Sequence, residues 1–498
     1  MSEMLKSALL SFTLLLAPVR WFTLSGQLDF GDMASDLAGA LTFNKYATYD
    51  QYVSMMQAFA AGYPALCRLD TFGTSAQGRL LLSLKISDHP EMEESEARFL
   101  FTATMHGDEL LGYPLMLRLI QTLLSGYGND PEVTGLVDGL EIWINPLSNP
   151  DGTFRGGDHT VAGSVRQTSE GRDLNRDFPD PSAFEPDDTT GRAVETQAMM
   201  TFLRKHRFTL SANLHSGAEV VNYPWDHTYA LHADDPWFRL ISREYADEAH
   251  AVDPAYLSLN GGYINGAEWL VILHGRQDYV TYYLEGREVT LELSDIKKLD
   301  SDSLDIFWHK NRRSLLNYMW QCMYGIRGRV TDRMTGESLS ARIAIPGHDS
   351  VYSIVHSREA HGDFYRLIAE GTYTLVVSAD GYLPDTLTDV EVLDFAPTFL
   401  DVPLEPEVNH IAADLQGAGA GRIYPNPVLT ELWIDPGRGI TGRGTVSVYS
   451  ADGQLMIHSP EWFGGDPICI SVEDLHSGIY ILRIATGSVS RSWRFVRK

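Results

Sequence analysis

Cysteine is scarce in this chain: Cys67, Cys322 and Cys469 are the only three in 498 residues. An odd number at wide spacing excludes a disulfide framework and every cysteine-rich zinc module. Positive charge is short as well, with 39 Lys and Arg against 66 Asp and Glu and a net charge of −27. Such a surface repels phosphate backbones and anionic bilayers, which excludes nucleic acid as a partner, and it attracts cationic peptides. Long apolar runs are lacking too. Ala8-Leu9-Leu10-Ser11-Phe12-Thr13-Leu14-Leu15-Leu16-Ala17, behind Lys6, is too short to cross a bilayer. It suits the apolar core of a signal peptide within residues 1–25, and no other stretch offers a transmembrane anchor. What is present is a globular composition, 44% hydrophobic with ten Trp and 23 Tyr, in a chain long enough for two or three domains with real cores.

The chemistry begins at Thr104-Met105-His106-Gly107-Asp108-Glu109, behind the apolar Phe99-Leu100-Phe101. His106 and Glu109 stand three residues apart, so one turn of backbone brings an imidazole and a carboxylate together. That is a chelating pair for a borderline-soft cation, zinc foremost, although a plain surface turn has the same pattern. Leu110, Leu111, Leu115, Met116, Leu119, Ile120, Leu123 and Leu124 follow at helical spacing. The reading is a strand, a ligand-bearing turn and a buried helix.

Residues 46–63 read as an amphipathic helix with Tyr52, Met55, Met56, Phe59 and Ala60 on one face, and residues 66–86 as a hairpin turning at 74–78. A strand is expected at 140–144, then a turn at Asn149-Pro150-Asp151-Gly152. A helix over 194–207 and a strand over 210–214 deliver His215. Strands alternating with helices predict a parallel or mixed sheet with ligands near the strand ends. Arg166, Arg172, Asp173, Asn175 and Arg176 crowd into eleven residues. Forked guanidinium donors beside an Asn suit the grip of a carboxylate; structural salt bridging is the other reading. In residues 288–294, Glu288, Thr290, Glu292 and Ser294 alternate with Val289, Leu291 and Leu293. A carboxylate on a buried strand needs a partner or a purpose.

Taken in order, His106-Gly107-Asp108-Glu109, Asn149-Pro150-Asp151-Gly152, Asp173-Leu174-Asn175-Arg176-Asp177-Phe178, Ser211-Ala212-Asn213-Leu214-His215, Asn222-Tyr223-Pro224-Trp225-Asp226, Asn265-Gly266-Ala267-Glu268-Trp269, Gln277-Asp278-Tyr279 and Thr290-Leu291-Glu292-Leu293-Ser294 resemble the zinc metallocarboxypeptidases. The likeness is to the regulatory subfamily of carboxypeptidases N, E, M and D, and it runs over residues 46–324. It implies an α/β catalytic domain at 44–324, a mixed sheet with helices on both faces. It implies one zinc per domain on His106, Glu109 and His215, and Glu292 as the base that takes a proton from the attacking water and passes it to the leaving amine. Arg166 matches the arginine that steadies the oxyanion, Asn175 and Arg176 the pair that holds a terminal carboxylate, and Asp173 the carboxylate that orients the first zinc histidine. Asp226 and Gln277 match the groups that bind a departing Arg or Lys side chain, so basic C-termini are the expected substrates. The lid departs from the pattern: Leu270 stands where the subfamily has tyrosine, and His274 where it has glycine.

Residues 325–405 resemble the transthyretin-like β-sandwich that follows this catalytic domain. An Ala/Gly-rich linker over 406–421 leads to residues 422–498, which resemble the C-terminal sorting domain of type IX secretion; an adhesion-type sandwich is the alternative. The whole predicts a mixed-sheet α/β domain and two small β-sandwich domains. The expected location is the surface or surroundings of a Gram-negative bacterium, reached through the periplasm with the secretion machinery as partner. Two further readings remain at this stage: a zinc amidase or deacylase with the same ligand set, which Asn175 and Arg176 disfavour, and a catalytically silent peptide-binding surface protein, for which Leu270 is the support.

Overall fold

The computed structural model describes residues 28, 30–350, 352–407, 420–437, 442–451, 453–464, 467–486 and 490–498. The expected signal peptide and most of the expected linker lie outside the described residues. There are two compact units: the described residues up to Asp380 with Pro384–Leu404, and Gly381–Leu383 with Glu405–Lys498.

The first unit is built on eight strands, β1 (Cys67–Thr74), β2 (Leu80–Ile86), β3 (Ala97–Ala103), β4 (Leu140–Asn145), β5 (Leu210–His215), β6 (Ala218–Tyr223), β7 (Tyr263–Asn265) and β8 (Arg287–Ser294). They lie in the order β1-β2-β4-β3-β5-β8-β6-β7. The central four are parallel. The β1–β2 hairpin joins one side antiparallel and β6 the other. The helices are α1 (Leu37–Ala40), α2 (Tyr49–Gly62), α3 (Gly112–Gly126), α4 (Pro131–Gly139), α5 (Pro150–Thr153), α6 (Val194–His206), α7 (Asp235–Val252), α8 (Gly266–Trp269), α9 (Arg276–Tyr283) and α10 (Leu304–Trp320).

Side chains alternate across a strand, and here the alternation sorts them into two cores. Phe99, Phe101, Ile142 and Ile144 pack with α2, α3, α7 and α10, whereas Leu100 and Trp143 pack with α6 and α9. Helices therefore cover both faces. The start of α2 has a local cause: Thr48 and Gln51 form a capping box, and Tyr52, Met55, Met56 and Phe59 make one buried stripe. The stretch Asn149-Pro150-Asp151-Gly152 is more than a turn. It opens α5, with Pro150 in the first helical position and Gly152 N donating to Asn149 Oδ1 at 2.9 Å. The segment is buried, and buried amides need partners, which a capped helical turn supplies.

After α10 come β9 (Gly325–Asp332), β10 (Arg342–Ala344), β11 (Val355–His356), β12 (Asp363–Arg366), β13 (Gly371–Ser378), β14 (Asp385–Val392) and β15 (Pro397–Leu404). They form two sheets, β11-β10-β13-β14 and β12-β9-β15. The second unit holds β16 (Ala420–Tyr424), β17 (Glu431–Gly437), β18 (Gly442–Ser450), β19 (Leu455–Gly464), β20 (Ile468–Ser471), β21 (Gly478–Thr486) and β22 (Ser490–Arg497). Its sheets are β16-β17-β20 and β19-β18-β21-β22, closed over Leu432, Ile434, Val446, Val448, Leu482 and Phe495. Among the described residues no helix is long and apolar enough to cross a membrane.

Candidate metal centre and substrate pocket

Where β3, β5 and β8 end, their polar residues line up. Thr102, Asn213, Thr290 and Asn222 form one row across neighbouring strands, and His215 pairs with Glu292 in the next. The chain leaves β3 through Thr104, which adopts φ 61°, and turns to present His106 and Glu109. Gly107 lies so close to the Gly152–Thr153 backbone that a Cβ would collide with it. Asn149 Nδ2 donates to the carbonyls of Met105 at 3.1 Å and Arg166 at 3.2 Å, and Gly107 N donates to Arg166 O at 3.1 Å. Asp151 anchors the same turn by accepting from Ser75 Oγ (2.7 Å), Gln77 N (2.9 Å), Arg79 Nη1 (2.7 Å) and Ser169 Oγ (2.9 Å). The Asn149–Gly152 motif is thus the scaffold of the His106 turn.

Three ligand atoms converge there. His106 Nδ1 lies 2.9 Å from Glu109 Oε1 and 3.0 Å from His215 Nδ1, and His215 Nδ1 lies 2.8 Å from Glu109 Oε2. Burial pulls His215 down to about 4, against the attraction of Glu109, so its ring is neutral and offers a lone pair. Burial also opposes charge on His106, but Glu109 and Asp173 outweigh it and raise that ring. Glu109 is buried, yet the two imidazoles hold it well below the usual carboxylate range. Two histidines and one carboxylate with their donor atoms turned to one point are a zinc ligand set with room for further ligands, so the residues present fit that metal. The outer nitrogens are engaged as well: His106 Nε2 is 3.2 Å from Asp173 Oδ1, and His215 Nε2 is 2.6 Å from the Asn213 amide.

Cations surround the cluster. Arg166 Nε donates to Asp173 Oδ2 at 2.9 Å, and its Nη1 stands 3.0 Å from His106 Nδ1 and 3.4 Å from Glu109 Oε1. Lys297 Nζ donates to Glu109 Oε1 at 2.8 Å. Glu292 is the one residue of β8 that is not fully buried, and its Oε2 has no hydrogen-bond partner. Burial and then Glu109 push its carboxyl well above the ordinary range, against Lys297 and Arg166. Glu288, on the same face, is instead neutralised: Arg276 Nη2 donates to its Oε2 at 2.8 Å and Ser211 Oγ at 2.6 Å.

Beside the cluster, Asn175 Oδ1 accepts from Arg276 N at 3.0 Å, and Arg176 Nη1 donates to Asn175 O at 2.7 Å. A Cβ added to Gly275 would stand 3.6 Å from Asp226 Oδ2 and 3.7 Å from Asn175 Oδ1, and one added to Gly266 would collide with the Asp226 carboxylate. Gly266 thus leaves room for the Asp226 carboxylate, and Gly275 stands beside both Asp226 and Asn175. Asp226 Oδ1 accepts from Asn222 Nδ2 at 3.1 Å and Gln277 Nε2 at 3.0 Å, and its backbone N–H donates to Asp278 Oδ1 at 3.0 Å. Asn222 Oδ1 and Gln277 Oε1 are buried acceptors without partners. Burial and Asp278 raise Asp226 well above the usual carboxylate range; Arg176 opposes them without forming an ion pair. The lid is tied here too, with Ile272 N donating to Asp226 O at 3.0 Å, while Leu270 is 57% exposed.

The sequence-predicted residues therefore fall into two neighbouring groups. His106, Glu109, Asp173, Arg166 and His215 gather with Glu292 opposite; Asn175, Asp226 and Gln277 gather around Gly275. Lys297 was missed, for Lys297-Lys298 beyond an alternating strand carries no signal. Asn222, Asp278 and Asn213 lay inside the quoted motifs without a role.

An eight-stranded mixed sheet carrying a His-Glu-His cluster at the ends of its parallel strands defines a metal-dependent hydrolase of the α/β class. Residues 52–314 match the family described as zinc carboxypeptidase, and residues 422–498 match the secretion system C-terminal sorting domain. The chain belongs to the zinc carboxypeptidase family, and its tail is a sorting domain of the type IX secretion system. It is 38% identical over 352 residues to human carboxypeptidase D, across 66% of this chain but only 25% of that protein's length. It is 33% identical to carboxypeptidase SOL1 of Arabidopsis thaliana over 80% of each chain. It is 30% identical to the catalytic chain of carboxypeptidase N of Rattus norvegicus, over 78% of this chain and 94% of that one.

Proposed function

We propose that the protein is an exported zinc exopeptidase that releases C-terminal Arg or Lys from peptides. The observation that carries this reading is Asp226. A buried carboxylate without a counter-charge is costly, and this one is held by two neutral amides whose own oxygens also lack donors. Three acceptor groups around one space suit a cationic side chain rich in N–H donors, and a guanidinium above all.

In this reading Asn175 and Arg176 hold the substrate's terminal carboxylate, which restricts cleavage to the last bond. Asp226, Gln277 and Asn222 take the departing side chain. His106, Glu109 and His215 would hold the zinc, which would supply Lewis acidity at the site. Glu292, with one oxygen free and its affinity for protons raised, accepts the proton of the attacking water and delivers it to the leaving amine. Arg166 offers its guanidinium to the developing oxyanion. Asp173 and Asn213 fix the two imidazoles.

The domain plan belongs to the same proposal: a leader in residues 1–25, a catalytic domain at 44–324, a transthyretin-like sandwich at 325–405, a linker at 406–421 and the sorting domain at 422–498. The sorting domain supports export from a Gram-negative cell by way of the periplasm, to its surface or medium. The deciding experiment assays the purified protein on blocked dipeptides that differ in the last residue, with and without chelator, beside Asp226→Ala. Activity abolished by chelator, favouring Arg and Lys and losing that preference in Asp226→Ala, is the expected result. Chelator-resistant hydrolysis, or a wild-type preference for Phe or Leu, refutes the reading.

A further inference from the structure

We infer that the β-sandwich sets the selectivity of the pocket through Tyr352, a positioning residue braced against both elements that hold Asp226. The inference rests on the reading of Asp226 as the floor of the pocket for a basic side chain.

Between β10 and β11 the sandwich is closed by Asp349. Its Oδ2 accepts from Ile345 N at 2.7 Å, and its Oδ1 from Ser353 Oγ at 3.0 Å and Arg366 Nη2 at 2.6 Å. Arg287, the first residue of β8, donates through Nη2 to Ser353 O at 3.1 Å and so pins this segment to the main sheet. Tyr352 is thereby delivered into an aromatic cluster. Its ring centroid lies 5.0 Å from that of Trp225 at an interplanar angle of 89°, 5.6 Å from His232 and 5.5 Å from Tyr282.

Two of those neighbours belong to the pocket. Trp225 is the residue before Asp226. Tyr282 is one helical turn beyond Asp278 on α9, the helix that also carries Gln277. Asp278 holds the Asp226 amide and Gln277 its carboxylate. One ring from the sandwich thus contacts both the Trp225–Asp226 segment and α9. Neutral hydrogen bonds alone fix the Asp226 side chain, so its aim depends on the spacing of these two elements. Edge-to-face and tilted ring contacts of this kind define such a spacing. Removing the ring opens a gap beneath Trp225 into which the wall of the pocket relaxes. The ring contacts of Tyr352 include none of His106, Glu109 and His215, so the metal cluster stays in place.

The test uses the full-length, zinc-loaded protein and compares wild type, Tyr352→Ala, Tyr352→Leu and Tyr352→Phe. KM and kcat are measured on blocked dipeptides ending in Arg and in Leu, together with inhibition by free arginine and by free leucine. In Tyr352→Ala, KM for the Arg substrate and the inhibition constant of arginine should rise about tenfold, as expected for a small misplacement of a binding group. Its kcat and the constants for leucine should hold, and Tyr352→Phe, which keeps the ring, should restore wild-type values. Should Tyr352→Ala fail to fold, Tyr352→Leu, which keeps most of the volume, must show the same selective loss. Wild-type selectivity in the Ala or Leu variant, or an equal fall of kcat on both substrates, overturns the inference. Failure of the underlying reading is separate: the wild-type protein then shows no preference for Arg, or Asp226→Asn leaves its KM unchanged.

Discussion

At the seam between the main sheet and the β-sandwich, Asp234 accepts from Arg287 Nη2 at 2.6 Å, Arg366 Nη1 at 2.8 Å, Arg366 Nη2 at 2.7 Å and His348 Nε2 at 2.8 Å. In the pocket Asp226, equally buried, accepts from two neutral amides and from no cation among the described residues. Burial opposes the charge of both. At the seam Arg366 and Arg287 win and hold Asp234 far below the usual range, whereas in the pocket Asp278 adds to burial and holds Asp226 above it. Strand β8 repeats the contrast within a few residues, for Glu288 forms an ion pair with Arg276 while Glu292 forms none among the described residues. Asp234 and Glu288 find their counter-charge within the chain; in the proposed function, Asp226 and Glu292 leave that place to something that comes and goes.

The sharpest way to break this contrast is to remove the free carboxylate at the metal centre. Glu292→Gln keeps the shape but cannot accept a proton, and loss of a general base typically costs about 10²–10⁴-fold in rate. We expect kcat to fall by that factor with zinc content unchanged by elemental analysis. Full activity would take Glu292 out of the chemistry.

The seam should respond in stability and not in chemistry. Asp234→Asn leaves Arg287 and Arg366 buried without their counter-charge, and breaking such a network costs roughly 3–5 kcal/mol. A lowered denaturant midpoint is the expected observation. Because the folded-state value of Asp234 lies below that of the unfolded chain, its stabilisation is complete above the ordinary aspartate range and is lost as pH falls through the folded value. The variant should therefore show a flatter acid-stability curve than wild type. An unchanged midpoint would mean that the seam is not held by charge.

Asp226 predicts a loss on acidification as well, but in a higher pH range, because its shift is upward. In the free protein it is raised, with Asp278 and Glu288 adding to burial and Asn222 and Arg176 opposing. A cationic side chain must meet the ionised form, so its attraction is present above the raised value and disappears as pH falls through it. KM for Arg substrates should climb as pH falls through the raised value, by roughly tenfold per pH unit below it. KM for Leu substrates should stay flat, and Asp226→Asn should remove the difference. Parallel profiles for the two substrates would contradict an open charge in the pocket.

The smallest effect belongs to the lid. Leu270 and Val271 expose apolar side chains where a tyrosine would offer a hydroxyl, and one such hydrogen bond is worth about 0.5–1.5 kcal/mol. Leu270→Tyr should lower KM a few-fold with kcat nearly constant. A raised KM would show that the apolar lid itself contributes to binding.

Much of the fold was legible because its signals are local. The stripe of Tyr52, Met55, Met56 and Phe59, the turn at Gly78 and the alternation from Glu288 to Ser294 each report which side of one element faces the core. Asn149 was legible as a break in the chain but not as the clamp on Met105 and Arg166, since that role needs two partners from elsewhere. Lys297 could not be found at all. Its contact with Glu109 spans 188 residues and leaves no trace in spacing.

By itself the sequence determined the inventory: which side chains can serve as ligands, which are acceptors and guanidiniums, and in what order the strands and helices carry them. Periodicity and short motifs encode this because they depend on neighbours one or two turns away. Only the tertiary structure decided which carboxylates are answered by a cation. Glu288 and Glu292 share one face of one strand, and the difference between them is Arg276 on α9. Asp234 is matched by Arg366 from 132 residues away, whereas Asp226 meets the amides of Asn222 and Gln277 and, among the described residues, no ion-pair partner. Burial, closure and counter-charge arise when the sheet register and the packing of the sandwich bring distant segments within a few ångströms, a condition that no local stretch of chain contains.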